Sequence, residues 1–179
     1  MTSDTDSAIA AIFADLAQKF GLSRPAGFCF AAIWRAAMAP TADDLTQICG
    51  LSRSGVSVAL KELRAWGLVD VARSPGNRRD FFVAPADPWE VARRIIAERQ
   101  RRDLAPVFER LQDLGAQQED TRLTDLTAVF EAANAFTAAL ARQDAADLSA
   151  LMGADLADAD DTSGGSGRKK KKKKKNEAR

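Results

Sequence analysis

The chain has 179 residues, 46% of them hydrophobic, and a formal net charge of +1. A chain of this length and apolar content can bury one good core, so we expect one globular domain with a helical annex. The sequence has no histidine, which is the commonest general base and a frequent zinc ligand. We therefore expect no enzymatic activity, and no metal or cofactor.

The sequence offers no obvious membrane or export segment. The uncharged apolar stretch Ala26–Trp34 is about half of the roughly 20 residues that a membrane-spanning helix needs. The opening MTSDTDSAIA carries acids where a signal peptide needs a basic start. We expect a cytoplasmic protein without a membrane partner.

The small net charge hides a strong segregation along the chain. Arg168–Arg179 holds nine basic residues and one acid, whereas Asp103–Gly167 holds three basic residues and thirteen acids. Leu51–Pro85 holds six basic residues and three acids. A locally basic module in an otherwise acidic body favours a polyanion contact through that module.

Two helices are predicted ahead of residue 41. The first ends at Gly21, and the second begins near Pro25, runs to Met38 and is stopped by Pro40. The first helix has an apolar stripe at helical spacing. The stripe consists of Ile9, Ile12, Phe13, Leu16 and Phe20.

The two cysteines, Cys29 and Cys49, form no CxxC pair. Each lies in an apolar helical context, where thiols usually serve as small core residues. We expect both to be structural, with redox sensing as the minor alternative.

Two short helices joined by a glycine turn follow. Thr41 is the predicted N-cap of the first, with Asp44 completing a capping box, and Gly50 supplies the turn. Ser52 is the predicted N-cap of the second helix. The core positions of that helix are Val56, Leu60 and Leu63.

A hairpin with a basic tip is predicted next. The stretches Leu68–Arg73 and Arg78–Val83 have strand character, and the turn formers Ser74-Pro75-Gly76-Asn77 lie between them. These residues predict two short antiparallel strands.

The C-terminal third is predicted to be helical. Asp87 is the N-cap of a long helix, with Pro88 at the first helical position and Glu90 as the acid of a capping box. Pro106 must kink or split this helix, because proline lacks a backbone donor and clashes with the preceding turn. A last substantial helix covers about Leu123 to Gln143.

Helix, glycine turn, helix and basic hairpin, in this order, predict a winged helix-turn-helix within a mainly α fold with a small β-hairpin wing (α+β). One helix of such a motif braces across the DNA backbone while the next presents side chains to base edges. The predicted divisions are N-terminal helices for dimerisation and core support (1–40), the DNA-binding winged helix-turn-helix (41–86), a helical dimerisation and effector region (87–152) and a tail (153–179).

The stretch TADDLTQICGLSRSGVSVALKELRAWGLVDVARSPGNRRDFFVAPADPWEV resembles the GbsR-type branch of the MarR-like regulators. The likeness covers about Phe20 to Pro106. Its features are the block LSRSGVSVALKELRAWGLV, the wing PGNRRDFF and the acid-Pro-Trp opening of the next helix. The resemblance implies a homodimer that binds double-stranded DNA at a roughly palindromic operator and can be controlled by a small molecule.

Carried over position by position, the resemblance implies two groups of DNA-binding residues. The groove-facing helix would contribute Ser52, Arg53, Ser54, Ser57 and Lys61. The wing would contribute Asn77, Arg78 and Arg79.

Two further expectations concern partners. Apolar stripes on the first helix and on Leu123–Leu140 exceed what one winged helix can cover, which favours a homodimer over packing within one chain. An aromatic cage for a quaternary ammonium effector is a minor alternative to ordinary core packing. Its candidate residues are Phe28, Phe30, Trp34, Trp66 and Trp89.

The seven-lysine run near the C-terminus has three interpretations: a solvated tail, a non-specific nucleic-acid tether, or an added tag after the sequence GGSG. For the whole chain, a dimeric, sequence-specific transcriptional regulator is the leading hypothesis. The alternative is a winged-helix scaffold for proteins, with non-specific nucleic-acid affinity supplied only by the tail.

Overall fold

The computed structural model describes residues 4–73, 79–117 and 120–153. They form a winged helix and a C-terminal group of helices. The winged helix consists of α1 (Asp4–Lys19), α2 (Arg24–Arg35), α3 (Ala42–Cys49), α4 (Arg53–Ala65), β1 (Asp70–Ala72) and β2 (Phe81–Val83). The C-terminal group consists of α5 (Pro88–Arg99), a π-helical segment (Gln100–Leu104), α6 (Ala105–Gln117), α7 (Thr121–Arg142) and α8 (145–153).

The predicted fold class is confirmed, because the structure is mainly helical with one two-stranded antiparallel hairpin. Among the described helices, none combines the length and the apolar character that a membrane span requires.

One hydrophobic core joins the first four helices to the hairpin. Its members include Leu45 of α3 and Phe82 of β2. The three side chains of α4 that were predicted to point inward, Val56, Leu60 and Leu63, are all buried in it. Each buried aliphatic side chain of this size stabilises the fold by roughly 1.5–3 kcal/mol.

Helices α1 and α2 approach closely at a glycine. A Cβ on Gly27 would lie 2.5 Å from the Ala14 Cα and 2.6 Å from the Phe13 carbonyl oxygen. Because α1 turns its small residues toward α2, larger apolar residues of its stripe stay outside. Ile12 is 57% exposed and Leu16 is 46% exposed.

The Gly27→Ala variant is expected to lose about 1–3 kcal/mol of unfolding free energy, because the added methyl meets backbone atoms that cannot yield. Urea unfolding followed by circular dichroism measures the loss. Gly55→Ala is the matched control, since its added Cβ meets the Ser52 hydroxyl at an easier 3.2 Å. Equal midpoints for Gly27→Ala and the wild type would contradict the prediction.

Helix α2 ends earlier than the sequence predicted, at Arg35 rather than Met38. The chain leaves the helix because Ala36 adopts an extended conformation (φ −68°, ψ 129°). It then reaches the wing, where the Phe82 amide donates to the Pro40 carbonyl at 2.9 Å. The hairpin is therefore hydrogen-bonded to the segment that leads into α3.

The cap of α5 differs from the prediction in one residue. Asp87 caps the helix by accepting from the Trp89 amide at 2.9 Å. Glu90, predicted to complete a capping box, instead accepts from Arg93 Nε at 2.6 Å and from Arg94 Nε at 2.7 Å. The bond from Arg93 is the main reason that the pKa of Glu90 falls to about 2. Two guanidinium groups are stronger partners for a carboxylate than one amide is.

The long helix is split ahead of Pro106, as predicted. Residues Gln100–Leu104 form a π-helical segment, and the Ala105 amide donates to the Gln100 carbonyl across it. The wider turn accommodates a proline that cannot donate to the preceding turn.

Helix α7 packs on α5, on the π-helical segment and on α6. The Thr137 hydroxyl donates to Gln100 Oε1 at 2.6 Å, and the Gln100 amide donates to Asn134 Oδ1. The rings of Phe108 and Phe130 lie 5.6 Å apart. No residue of α7 is fully buried, so most of this helix has one side without a protein neighbour in the described chain.

A short helix, α8, follows α7 and was not predicted. Asp144 begins it by accepting from the Asp147 amide at 2.8 Å, and Leu148 is completely buried. Leu148 is the one fully buried apolar residue of α8, and a helix this short carries too little apolar periodicity to be predicted from its sequence.

Candidate nucleic-acid interface

The turn between α3 and α4 is built from local capping bonds. Thr41 and Asp44 form the predicted capping box, with the Thr41 amide donating to the Asp44 carboxylate at 2.9 Å. Gly50 takes the left-handed conformation (φ 64°) that ends α3. The Ser52 hydroxyl then accepts from the Gly55 amide at 3.1 Å and starts α4. Caps of this kind contribute about 1 kcal/mol each and fix the angle at which α4 leaves the turn.

The negative charge of Asp44, at the start of α3, is stabilised by its contacts with Thr41. The backbone amide and hydroxyl of Thr41 donate to the Asp44 carboxylate and keep the pKa of that group below its usual range. The positive charge of Arg79 acts in the same direction. The base of the wing and the start of α3 are therefore electrostatic neighbours.

Helix α4 has one buried face and one exposed face. Ser54, Ser57 and Lys61 are all exposed, and at about 100° per residue they fall on one side of the helix. Val58, on the same side, is 63% exposed. The exposed face carries small and basic side chains that can enter a groove.

The two other predicted residues of this helix lie at its start. Ser52 is exposed, and its hydroxyl lies 3.1 Å from that of Ser54. Arg53 Nη2 lies 3.1 Å from Asp43 Oδ1, with 85% of the Arg53 side chain exposed. An exposed pair of this kind is weak, so the Arg53 guanidinium can exchange Asp43 for a phosphate at little cost.

The wing is a short antiparallel hairpin. Asp70 pairs with Val83 and Ala72 pairs with Phe81. Arg79 is exposed and lies two residues before the start of β2. Asn77 and Arg78, the other predicted wing residues, lie outside the described residues.

The sequence did not predict which basic side chains would lie beside α4. A cleft of about 500 Å³ has Val58 and Lys61 of α4 on one side and Arg99 and Arg102 on the other. The Arg102 guanidinium lies 5.6 Å from the centre of the Trp66 ring. The spacing of Arg99 and Arg102 predicts that they share one face of a helix. The sequence does not predict that this face lies beside α4, because that contact depends on the tertiary fold.

The candidate aromatic residues do not assemble into one cage. Arg102 covers Trp66, and Arg24 lies 5.6 Å from the Phe28 ring centre. Phe30 and Trp34 do come together, because both contact Phe13, with ring centres 5.7 and 5.8 Å away.

These three rings line an apolar cavity of about 490 Å³. The cavity lies among α1, α2, α4, α5 and α8, and its lining includes no charged side chain. Leu16, Phe20 and Met152, which are all exposed, also contribute to its wall.

Comparison with known proteins gives matches to a family model and to solved structures. Residues 33–80 match the MarR family. A solved structure described as the crystal structure of a transcriptional regulator aligns with a TM-score of 0.57 and 18% identity, covering 77% of this chain and 97% of that chain. None of the curated proteins matches. The likenesses agree with the winged-helix fold and extend it to the flanking helices.

Proposed function

We propose that this protein is a cytoplasmic, dimeric and sequence-specific DNA-binding regulator of transcription, and that its MarR-type winged helix contacts the DNA bases. The proposal rests on the exposed face of α4. Ser54, Ser57 and Lys61 lie on this face, and the opposite face of the helix is buried in the core. The MarR-family match over residues 33–80 supports it.

In the proposed complex, α4 enters the major groove. Ser57 and Lys61 meet base edges, while Ser52 and the first amides of α4 meet a phosphate. Arg79 of the wing lies along the backbone or in the adjoining minor groove. Arg53 can serve either purpose, because its partner Asp43 is exposed.

Exposed apolar surface at both ends of the chain supports a homodimer. Large exposed apolar patches on a protein surface mark interaction sites. The large apolar side chains concerned are Ile12, Leu16 and Phe20 of α1, Val107 and Leu114 of α6, Leu126, Val129, Phe130 and Phe136 of α7, and Leu151 and Met152 of α8. Two-fold pairing through these helices would place two α4 helices about 34 Å apart, one turn of DNA.

The GbsR-type branch is the subfamily that the sequence favours. The wing sequence PGNRRDFF and the Asp87-Pro88-Trp89 opening of α5 carry that assignment. The resemblance is strongest in the winged helix and therefore speaks for DNA binding more than for any particular effector.

An uncharged, apolar small molecule is the effector class that the cavity favours. Its wall has aromatic rings but no carboxylate to balance a cation, which speaks against a quaternary ammonium compound. A lipophilic neutral dye should therefore bind with quenching of Trp34 fluorescence, and Trp34→Phe should remove most of the quenching. Tighter binding of tetraalkylammonium ions than of the neutral dye would contradict this choice.

Photo-crosslinking tests the DNA-binding proposal without knowledge of the operator. A photoreactive amino acid at position 57 is expected to crosslink to random-sequence duplex DNA. The same group at position 125, exposed on α7, is the matched control and should give no crosslink. Equal crosslinking from both positions, or none from position 57, would contradict the proposal.

Deleting residues 168–179 is expected to weaken binding to every duplex and to flatten its salt dependence while leaving the preferred sequence unchanged. Lysines on phosphates release counterions but read no bases. Titrations of the full chain and the truncated chain at several salt concentrations measure both slopes. Loss of the preferred site with retained non-specific affinity would show that the tail has another role.

A further inference from the structure

Two arginines outside the winged helix lie beside the exposed face of α4. Arg99 is the last residue of α5, and Arg102 lies in the π-helical segment. Both line the cleft of about 500 Å³ whose other wall includes Val58 and Lys61 of α4. The match to the MarR family ends at residue 80, and the proposed function uses no residue of α5 or of the π-helical segment to bind DNA. These two positive charges are therefore still without a role.

The Arg102 guanidinium is held against the end of α4. It lies 5.6 Å from the centre of the Trp66 ring, and Trp66 is the buried C-cap residue of α4. A guanidinium over an aromatic ring keeps the N–H donors in its own plane available for an anion. Because 46% of the Arg102 side chain is exposed, these donors can reach a group that enters the cleft.

The carboxylate nearest in sequence to Arg102 on the same helix face is bound by another residue. Arg101 donates to Glu98 through Nε at 3.0 Å and through Nη2 at 2.6 Å. Arg102 Nε lies 3.7 Å from the same carboxylate, which is too long for a hydrogen bond. Arg102 therefore keeps donors for a further acceptor.

The cleft has a net positive charge. Its ionisable side chains are Lys61, Arg99 and Arg102 against Glu62 and Asp103. The Glu62 carboxylate already accepts from the Ser23 amide at 2.9 Å and from the Ser23 hydroxyl at 2.6 Å. Asp103 pairs with Arg99, but the two side chains are 43% and 40% exposed, and an exposed pair of this kind is weak. Arg99 can therefore exchange Asp103 for a phosphate.

Lys61 lies between this cleft and the wing. It also lines a second cleft, whose wall continues through Val69, Asp70 and Val71 at the start of the hairpin. The wing and the two arginines are therefore on different sides of Lys61. The major groove is about 12 Å wide and has a phosphate backbone along each side. With the wing on one backbone, the arginine cleft faces the other.

We propose that Arg99 and Arg102 form a binding site for a phosphate of the DNA backbone, on the side of α4 away from the wing. Arg102 donates to the phosphate oxygens from its planar fork of N–H groups, and Arg99 adds a second positive charge after it releases Asp103. The site rests on the proposed function, because its phosphate belongs to the duplex whose groove α4 occupies.

Titrations of full-chain variants against a random-sequence duplex at several salt concentrations test the site. Arg102→Gln should reduce the salt slope by about one and the affinity at physiological salt by about fivefold, because one phosphate contact is lost. Arg99→Gln combined with Arg102→Gln should reduce the slope by about two. The lysine tail is present in every variant, so its contribution cancels in each comparison.

Arg122→Gln is the matched control. Arg122 is exposed near the start of α7, and about 22 Å of this helix separate it from Thr137, which contacts the π-helical segment at Gln100. The substitution removes the same charge far from the cleft. Its titration should follow that of the wild type.

Arg102→Lys separates charge from packing. The lysine keeps the positive charge but lacks the planar group that lies over Trp66, so the salt slope should stay close to the wild-type value. Thermal melts show that each variant is folded. An equal loss of slope in Arg102→Lys and Arg102→Gln would mean that Arg102 only supports the fold, and would overturn the site.

Equal salt slopes for the wild type, Arg102→Gln and the double variant would also overturn it. The crosslink from position 57 tests the proposed function separately. Crosslinking from position 57 together with equal slopes would leave α4 as a DNA-binding helix without this phosphate site. No crosslink from position 57 would contradict the proposed function, whichever slopes the arginine variants gave.

Discussion

The Phe136→Asp variant is expected to be a folded monomer. Phe136 is 64% exposed in the single chain, so a carboxylate there can remain in water and leave the fold of one chain intact. In the proposed dimer the same position is covered, and two-fold symmetry would bury the substituted carboxylate in both copies. Burying an unpaired charge is strongly unfavourable, so we expect dimerisation to weaken at least about 100-fold, or by about 2.7 kcal/mol.

Sedimentation equilibrium measures the mass of this variant at micromolar concentration, and circular dichroism measures its helix content. Ala135→Asp is the matched control, because it adds the same charge to an exposed neighbour that lies about 100° around the helix. A wild-type chain that sediments as a monomer, or a Phe136→Asp variant that stays dimeric, would contradict the proposed helical dimer.

The second large effect is a difference between the residues of α4, which are proposed to select the DNA sequence, and the wing residue, which is proposed to bind the DNA backbone. Ser57→Ala and Lys61→Ala should relax sequence choice, because a good base contact contributes about 1–3 kcal/mol of discrimination. Arg79→Ala should instead weaken binding to most sequences and reduce the salt slope by about one. Each variant is titrated against operator and scrambled duplexes at several salt concentrations.

Lys19→Ala is the control for loss of one exposed positive charge away from the winged surface, since Lys19 ends α1. Its titration should follow that of the wild type. If Arg79→Ala altered sequence preference while Ser57→Ala and Lys61→Ala did not, the hairpin would be the reader and the proposed docking would be wrong.

The sequence predicted features that depend on neighbours in the chain. The Thr41/Asp44 capping box, the Gly50 turn and the Ser52 cap are set by bonds spanning three residues or by one backbone conformation. The split ahead of Pro106 follows from the covalent structure of proline. Local rules of this kind, together with the periodicity of α4, were sufficient for the fold class.

Features that depend on contacts between distant segments could not be predicted. The placement of Arg99 and Arg102 beside α4 depends on how the π-helical segment and the helix before it pack against Trp66. Glu90 was misassigned because its capping pattern competed with two arginines placed one turn further along. Sequence spacing alone does not rank such competing partners.

In the proposed function, two copies of α4 read the DNA sequence together. The most direct test is a selection of genomic fragments that are bound by the full chain at physiological salt. We expect a recurring inverted repeat with half-sites about one helical turn apart, roughly 10 base pairs between centres. Bound fragments without a common sequence would contradict it and favour a protein scaffold whose tail alone holds nucleic acid.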